Sequence, residues 1–511
     1  MSDSVDVSRQ LRGPLSACEW HYLAEGAAHL ILVYKGADPT FKYSVLRLCK
    51  VKGMGRSQSR SISGRRRQLY CSQARQKSVV QGSSILKKFA FTREEELINT
   101  SVGTALRRLH GNVCKLGELV RVNLRFLTAI SAAAAPERLH SRSSCADIDF
   151  RARYAIVLPN YNYINILPNE KNTITRCGPV FSVEIKPKCG FLCSSNGDGT
   201  SRLRMQQVSK YVTGETTRLS QYDPFDLFFG TGATNDDNSY VQTLARLSRA
   251  RRALVALILD PQNNFRLRRS DRPGEAFGCE LLKHLFNHGH LSKIKLSPLG
   301  SVFSRSNSLF PDPTDVLALA LGKGFCPKRT AGANVSIFYE ILVSALLRSD
   351  ILSTLLAAQR RDVVGSFGAH KIIEIVKKHK LFNDKAGNAH LEDVIAAVDS
   401  SALRLLRDFL VATAVKDCSV ILSFQRVHQE VPESLRVASN VKTFYVSLPT
   451  SVCEAGCKSG LSADLISFVC GISIVDLDVK TMSKISFWQE REREIFSFYV
   501  AACFRICNSI I

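Results

Sequence analysis

Five residues near the middle of the chain, Glu184-Ile185-Lys186-Pro187-Lys188, combine charge and spacing in a way that suits phosphate chemistry. In an extended chain alternate side chains share a face, so Glu184, Lys186 and Lys188 fall on one side and Ile185 and Pro187 on the other. Two ammonium groups and a carboxylate, with apolar packing behind them, suit a polyphosphate and its nucleotide. Pro187 cannot donate to a ladder, which predicts a strand end or an edge beside a cleft. Two acids stand at the ends of later apolar runs: Asp417 before 419–424 (SVILSF) and Asp476 after 472–475 (ISIV). Carboxylates so placed are a usual way to hold Mg²⁺ against phosphate oxygens. Pro261-Gln262-Asn263-Asn264-Phe265-Arg266 gathers adjacent amides and a guanidinium in one short turn. Each feature alone also reads as plain structure: a solvated strand face, strand-terminating acids, an Asn-rich turn.

The elements that must carry these groups follow from periodicity. Residues 20–26 lead into a turn, 29–34 (HLILVY) form an apolar strand, and 45–49 (VLRLC) form another with Arg47 at its centre. Residues 94–131 are predicted helical, and 154–158 and 180–185 are predicted strands. Helical spacing recurs over 338–358 and 390–415. The tract 56–67 (RSQSRSISGRRR) has no hydrophobic period and is predicted to be an exposed loop. It reads either as a nuclear-import or nucleic-acid patch or, preferably, as an insertion without either role. No internal repeat is visible. The expectation is a mixed α/β (α+β) chain with a small β-rich N-terminal lobe over 1–165, carrying a basic insertion at about 52–90, and a larger α/β lobe over 166–511.

Bulk properties narrow the classes. The chain has 511 residues, 45% hydrophobic and 22% charged, which excludes a mainly disordered, collagenous or coiled-coil protein. The net charge of +24 points to a polyanionic partner. Fourteen Lys and Arg lie within 39–93, where no Asp or Glu occurs, and without that stretch the net charge is +10. Sixteen cysteines without a CxxC are read as mostly free thiols in a reducing compartment, cytoplasmic and/or nuclear. The first fifteen residues lack the apolar core of a signal peptide, no run approaches a membrane helix, and a monomer is expected. There is no GxxxxGK[ST], HRD or DFG.

In that setting the motifs carry a resemblance. EIKPKCGFL (184–192) is similar to the E-x-K-P-K segment of inositol-pentakisphosphate 2-kinases, and the family's other elements recur in order. Glu25-Gly26-Ala27-Ala28-His29-Leu30 resembles its glycine loop, EGxANLV, with Ala27 and His29 departing from the common Gly and Asn. Ser201-Arg202-Leu203-Arg204-Met205-Gln206, followed by Lys210, resembles SRFxMHQ, with Gln206 in place of a frequent His. Residues 261–266 match PQNNFR. Lys416-Asp417-Cys418-Ser419 resembles KDCS, and Asp476-Leu477-Asp478-Val479-Lys480 resembles DLDLK, with Thr481 in place of the following Pro and Trp488 where Tyr is common.

The resemblance implies a two-lobed inositide-kinase fold and transfer of phosphate from ATP to the 2-hydroxyl of inositol 1,3,4,5,6-pentakisphosphate, giving inositol hexakisphosphate (phytic acid). It implies ATP contacts from Gly26, Ala27, Ala28, His29, Arg47, Glu184, Lys186, Arg266 and Asp476. The inositide falls to Arg142, Lys188, Lys210, Asn263, Lys480 and Lys484. Mg²⁺ falls to Asp417 and Asp476, and the catalytic residues are Lys188 and Asp417, the latter accepting the proton of the attacking hydroxyl. The structural zinc of plant members is expected to be absent, since 355–415 lacks Cys and offers only His370, His379 and His390. Cys279, His284, His288 and His290 form a second, less regular zinc candidate. Three rivals stay open: an inositide-binding pseudokinase, an inositide kinase acting on another hydroxyl, and a nucleic-acid-binding protein using only the 56–67 tract.

Overall fold

A computed structural model describes residues 15–26, 28–52, 102–106, 118–138, 143–164, 175–191, 199–216, 219–229, 240–259, 265–270, 276–278, 317, 321, 325–326, 331–378, 402–428, 443–449, 465–478, 480 and 482–510. Ala27, Arg142, Asn263, His379, His390, the 56–67 tract and the Cys279/His284/His288/His290 group lie outside them. The chain divides into two compact units. The described part of the first falls within residues 1–160 and 478–481; the second holds the remaining described residues from Tyr161 onward.

The described part of the first unit holds a six-stranded antiparallel sheet with a helix packed on it. Strands β1 (Trp20–Glu25), β2 (His29–Tyr34), β3 (Ser44–Lys52), β6 (Tyr154–Pro159) and β4 (Glu118–Arg121) neighbour one another in that order, and β5 (Ala146–Ile148) pairs with β3. Period-two alternation buries Leu30 and Leu32 on β2 and Leu46 and Leu48 on β3 in one core with Phe126, Leu127 and Ile130 of α1 (Leu124–Ala134). Asn123 caps α1 by accepting from the Phe126 amide at 2.8 Å, a contact worth about 1 kcal/mol. Of the helical stretch expected over 94–131, residues 102–106 and 124–131 are helical, but residues 118–121 pair with β6 instead. Four residues with charges at both ends carry too little pattern to reveal a strand.

The second unit holds a six-stranded antiparallel sheet ordered β11-β12-β10-β7-β8-β9. Its strands are β7 (Arg176–Ile185), β8 (Phe265–Arg269), β9 (Ala276–Gly278), β10 (Ser419–Val427), β11 (Thr443–Pro449) and β12 (Leu465–Val475). The described helices are α2 (Arg202–Val212), α3 (Pro224–Phe228), α4 (Tyr240–Leu259), α5 (Ala331–Arg348), α6 (Ile351–Gln359), α7 (Gly365–Lys378), α8 (Ala402–Val415) and α9 (Ile485–Ile510). Phe181 of β7 and Phe424 of β10 stack with centroids 5.9 Å apart, and Phe325, Phe338 and Phe468 close round them edge-on. The apolar run at 338–358 proves to be parts of two helices, bent by 57° between Arg348 and Ile351. No single described helix is long and apolar enough to cross a membrane. β7 is a central strand, so the edge reading of Pro187 is corrected: the proline stands just past the strand's end, where the ladder needs no donor.

Candidate active site

Antiparallel pairing brings four chain segments to one end of the second unit's sheet. Val420 pairs with Ile185, Ser419 with Val475, and Phe265 with Ile185, so the end of β7, the start of β10, the end of β12 and the start of β8 lie side by side. The charged residues follow from that register. Lys186 Nζ lies 3.9 Å from Asp476 Oδ2, Lys188 Nζ lies 3.7 Å from Asp417 Oδ1, and Arg266 Nη1 lies 3.6 Å from Glu184 Oε2. Asp417 and Asp476 keep 60% and 45% of their side-chain surface exposed, so each carboxylate has a face left for a ligand.

Glu184 is turned inward. The Ser419 hydroxyl donates to it at 2.9 Å. Burial raises its carboxyl pKa, but Arg266, Arg268, Lys186 and the Ser419 bond together hold it below the usual carboxylate range. Glu184 therefore works as a fixed anion that orients Arg266. Burial pulls the Lys188 ammonium below the ordinary lysine range, assisted by Lys186 and Arg202 and opposed by Asp417. Burial, reinforced by Asp476 and Asp417, pushes the Cys418 thiol up to about 12, which removes it as a nucleophile at neutral pH.

The expected alternation does not run through Lys188. β7 ends at Ile185, and Lys188 has φ 64°, in the left-handed region; Asp476 has φ 62°. These are two of the three non-glycine residues with positive φ among the described residues, the third being Tyr43. Side chains reach the sheet end here by a turn of the backbone rather than by pleat.

The first unit holds its own charged group. Gly26 N donates to His29 O at 2.9 Å, Lys50 N to Ala28 O at 2.8 Å, and Lys50 Nζ to Gly26 O at 3.1 Å, which pins the loop between β1 and β2. Lys50 also pairs with Glu25, whose carboxylate accepts from Arg138 as well, all three side chains being buried. A Cβ added at Gly26 would meet nothing within 4 Å, so the loop leaves open space above its backbone. Arg47 Nη2 donates to Asp478 Oδ2 at 2.7 Å and to Oδ1 at 3.0 Å, and lies 2.9 Å from His29 Nδ1. A guanidinium only donates, so in the neutral ring Nδ1 is the acceptor of this contact. Asp478 is a residue that sequence reasoning quoted but gave no role; its partner is 431 positions away and invisible locally. Lys50 and Arg138 escaped for the same reason.

Lys480 lies near Asp478 and helps to lower its pKa. Lys210 sits in the last turn of α2, about 12 Å of helix from Arg202. Lys484 ends the single 3₁₀ turn Met482–Lys484. No three His, Cys, Asp or Glu side chains gather as a metal group among the described residues, and His370 faces Glu374 at 3.7 Å.

This chemistry has a counterpart in known proteins. A profile of the inositol-pentakisphosphate 2-kinases matches residues 22–494. The chain is 25% identical over 505 residues to an inositol-pentakisphosphate 2-kinase from Arabidopsis thaliana, covering 94% of this chain and 93% of the relative. It is 26% identical over 499 residues to one from Oryza sativa subsp. indica, covering 94% of each, and 25% identical over 421 residues to one from Danio rerio, covering 75% and 79%. The chain belongs to the inositol-pentakisphosphate 2-kinase family.

Proposed function

We propose that this chain is an ATP-dependent kinase that phosphorylates the 2-hydroxyl of inositol 1,3,4,5,6-pentakisphosphate to give the hexakisphosphate. The observation that carries the reading is the strand-end cluster, in which each of two half-exposed carboxylates faces its own lysine. Phosphoryl transfer asks a protein chiefly for positioning and for cations around the moving group. An inositide of roughly −8 to −10 charge cannot approach ATP without such shielding.

The residues divide by unit. In the first, residues 26–28 and Arg47 are assigned to ATP phosphates, a reading supported by the open space beside Gly26. In the second, Lys186 and Arg266 offer the same, with Glu184 aligning Arg266. Lys188 is placed to hold a phosphate oxygen next to Asp417, which accepts the proton of the attacking hydroxyl. Arg142, Lys210, Asn263, Lys480 and Lys484 are assigned to the remaining inositide phosphates. Asp417 and Asp476 suit Mg²⁺: hard oxygen donors, partly exposed, and too few to enclose the ion without phosphate and water oxygens. Bound there, the ion would neutralise charge on the transferring phosphates.

The test is incubation with Mg-ATP and inositol pentakisphosphate, followed by anion-exchange chromatography. Hexakisphosphate is expected from the wild type. Asp417→Ala should lose it while still binding the inositide, and a variant keeping more than about a tenth of wild-type kcat would remove Asp417 as the base. Tight inositide binding without any wild-type product would instead favour the pseudokinase.

A further inference from the structure

The Lys188–Asp417 pair is held from behind by one turn. α6 ends at Gln359, and the chain passes through Arg360 and Arg361 to Asp362 before α7 begins. Gln359 is fully buried, and both ends of its amide are used. Its Oε1 accepts from Gly190 N at 2.8 Å, and its Nε2 donates to Lys188 O at 2.9 Å. The amide thus bridges the backbone beside the left-handed Lys188. From the other side the buried Tyr222 hydroxyl donates to Pro187 O at 2.7 Å. Gly190 completes the fit, since a Cβ there would fall 2.2 Å from the Phe228 ring.

Three residues after Gln359, Asp362 is also buried. Its Oδ1 accepts from Gly365 N at 2.7 Å, and its Oδ2 accepts from Lys416 Nζ at 2.6 Å. Lys416 immediately precedes Asp417. One turn therefore grips the backbone of the lysine partner with an amide and the neighbour of the carboxylate partner with a charge. Backbone in a disfavoured region persists only where its surroundings over-determine it, and two buried side chains aimed at Pro187, Lys188 and Gly190 are such surroundings.

We infer that Gln359 and Asp362 are positioning residues that brace Lys188 and Asp417 from a single turn and fix the separation of the ammonium and the carboxylate. The inference rests on the roles proposed above for that pair. It assigns no substrate contact to either residue.

The full chain is compared with Gln359→Glu, Gln359→Leu and Asp362→Asn. Gln359→Glu keeps the acceptor for Gly190 and sets an oxygen against the Lys188 carbonyl; Asp362→Asn keeps an acceptor for Gly365 N and loses the negative charge that faces Lys416. Expected for each is a fall in kcat of about 10- to 100-fold with the ATP KM within about threefold, because small misplacements of reacting groups cost that much. Amide hydrogen exchange over 186–191 should rise in both Gln359 variants while β7 and β10 keep wild-type protection. Wild-type kcat in Gln359→Glu and Asp362→Asn would overturn the inference. So would exchange that rises equally across the whole sheet, which marks ordinary fold residues. Should the wild type itself make no hexakisphosphate, the kinase reading fails on its own. Exchange at Gly190 then still decides the brace: raised in Gln359→Leu with β7 and β10 unchanged supports it, unchanged overturns it.

Discussion

Arg47 illustrates how much of this site is arranged by single side chains before any ligand arrives. Its guanidinium is committed to both oxygens of Asp478, with His29 at its flank. If Arg47 takes ATP phosphate as proposed, phosphate oxygens would compete with Asp478 for the same donors, and the carboxylate would have to share them. Burial raises the Asp478 carboxyl pKa, but Arg47, His29 and Lys480 bring it below the ordinary aspartate range. A depressed folded-state pKa contributes stability above the unfolded value, and that stability is lost as pH falls through the folded value. Asp478→Asn is therefore expected to cost about 1.5–3 kcal/mol at pH 7, the usual range for bonds between charged groups. The gap to wild type should begin to close below the ordinary aspartate value of about 3.9 and vanish below the depressed one. Thermal unfolding of both proteins from pH 7 to pH 3 checks this. A gap that stays constant across the range would show that the loss is of packing and not of charge.

At the scale of elements, the sheet of the second unit is what turns scattered acids and lysines into a site. Its register depends on the aromatic stack beneath β7 and β10, with Phe424 touching Phe181, Phe325, Phe338 and Phe468. Phe424→Ala should cost about 3–5 kcal/mol, and lower Tm by roughly 10 °C, by leaving a cavity in that stack. The KM for inositide, measured well below the transition, should stay near wild type, because the ligand face is carried by residues beyond the strand ends. A KM raised tenfold at that temperature would mean that the stack also sets the site. What sequence reading recovered at this scale follows the same logic. The runs HLILVY and SVILSF announce strands because continuous apolar residues of that length must be buried, and Asp417 and Asp476 are legible as acids at such ends. β11 shows a short apolar run of strand length, with Phe444, Tyr445, Val446 and Leu448 in TFYVSLP, but no chemical motif adjoins it to draw the eye. β4 and the left-handed turn at Lys188 are different: their conformations come from partners such as β6 and Gln359, the latter 171 positions from Lys188. No local pattern encodes those.

For the whole molecule, the large positive charge must be apportioned between capture of substrate and everything else. Much of the excess lies within 39–93, which includes the five arginines of 56–67, whereas Lys186, Lys188, Arg266 and Lys210 belong to the second unit. Attraction between a basic surface and a polyanion acts over roughly a Debye length, about 8 Å at physiological ionic strength, and weakens with added salt. The inositide KM is accordingly expected to rise steeply with ionic strength, through slower capture. Deletion of 56–67 separates the two populations of charge. If the strand-end cations do the capturing, the shortened protein keeps its kcat and the same dependence of KM on salt, while eluting earlier from a heparin column. If the tract itself gathers the substrate, KM at low salt rises several-fold on deletion and the salt dependence flattens. The first outcome is expected, because under the proposed roles Lys186, Lys188 and Arg266 are the cations that meet phosphate, whereas no motif resembling the family's falls within 56–67.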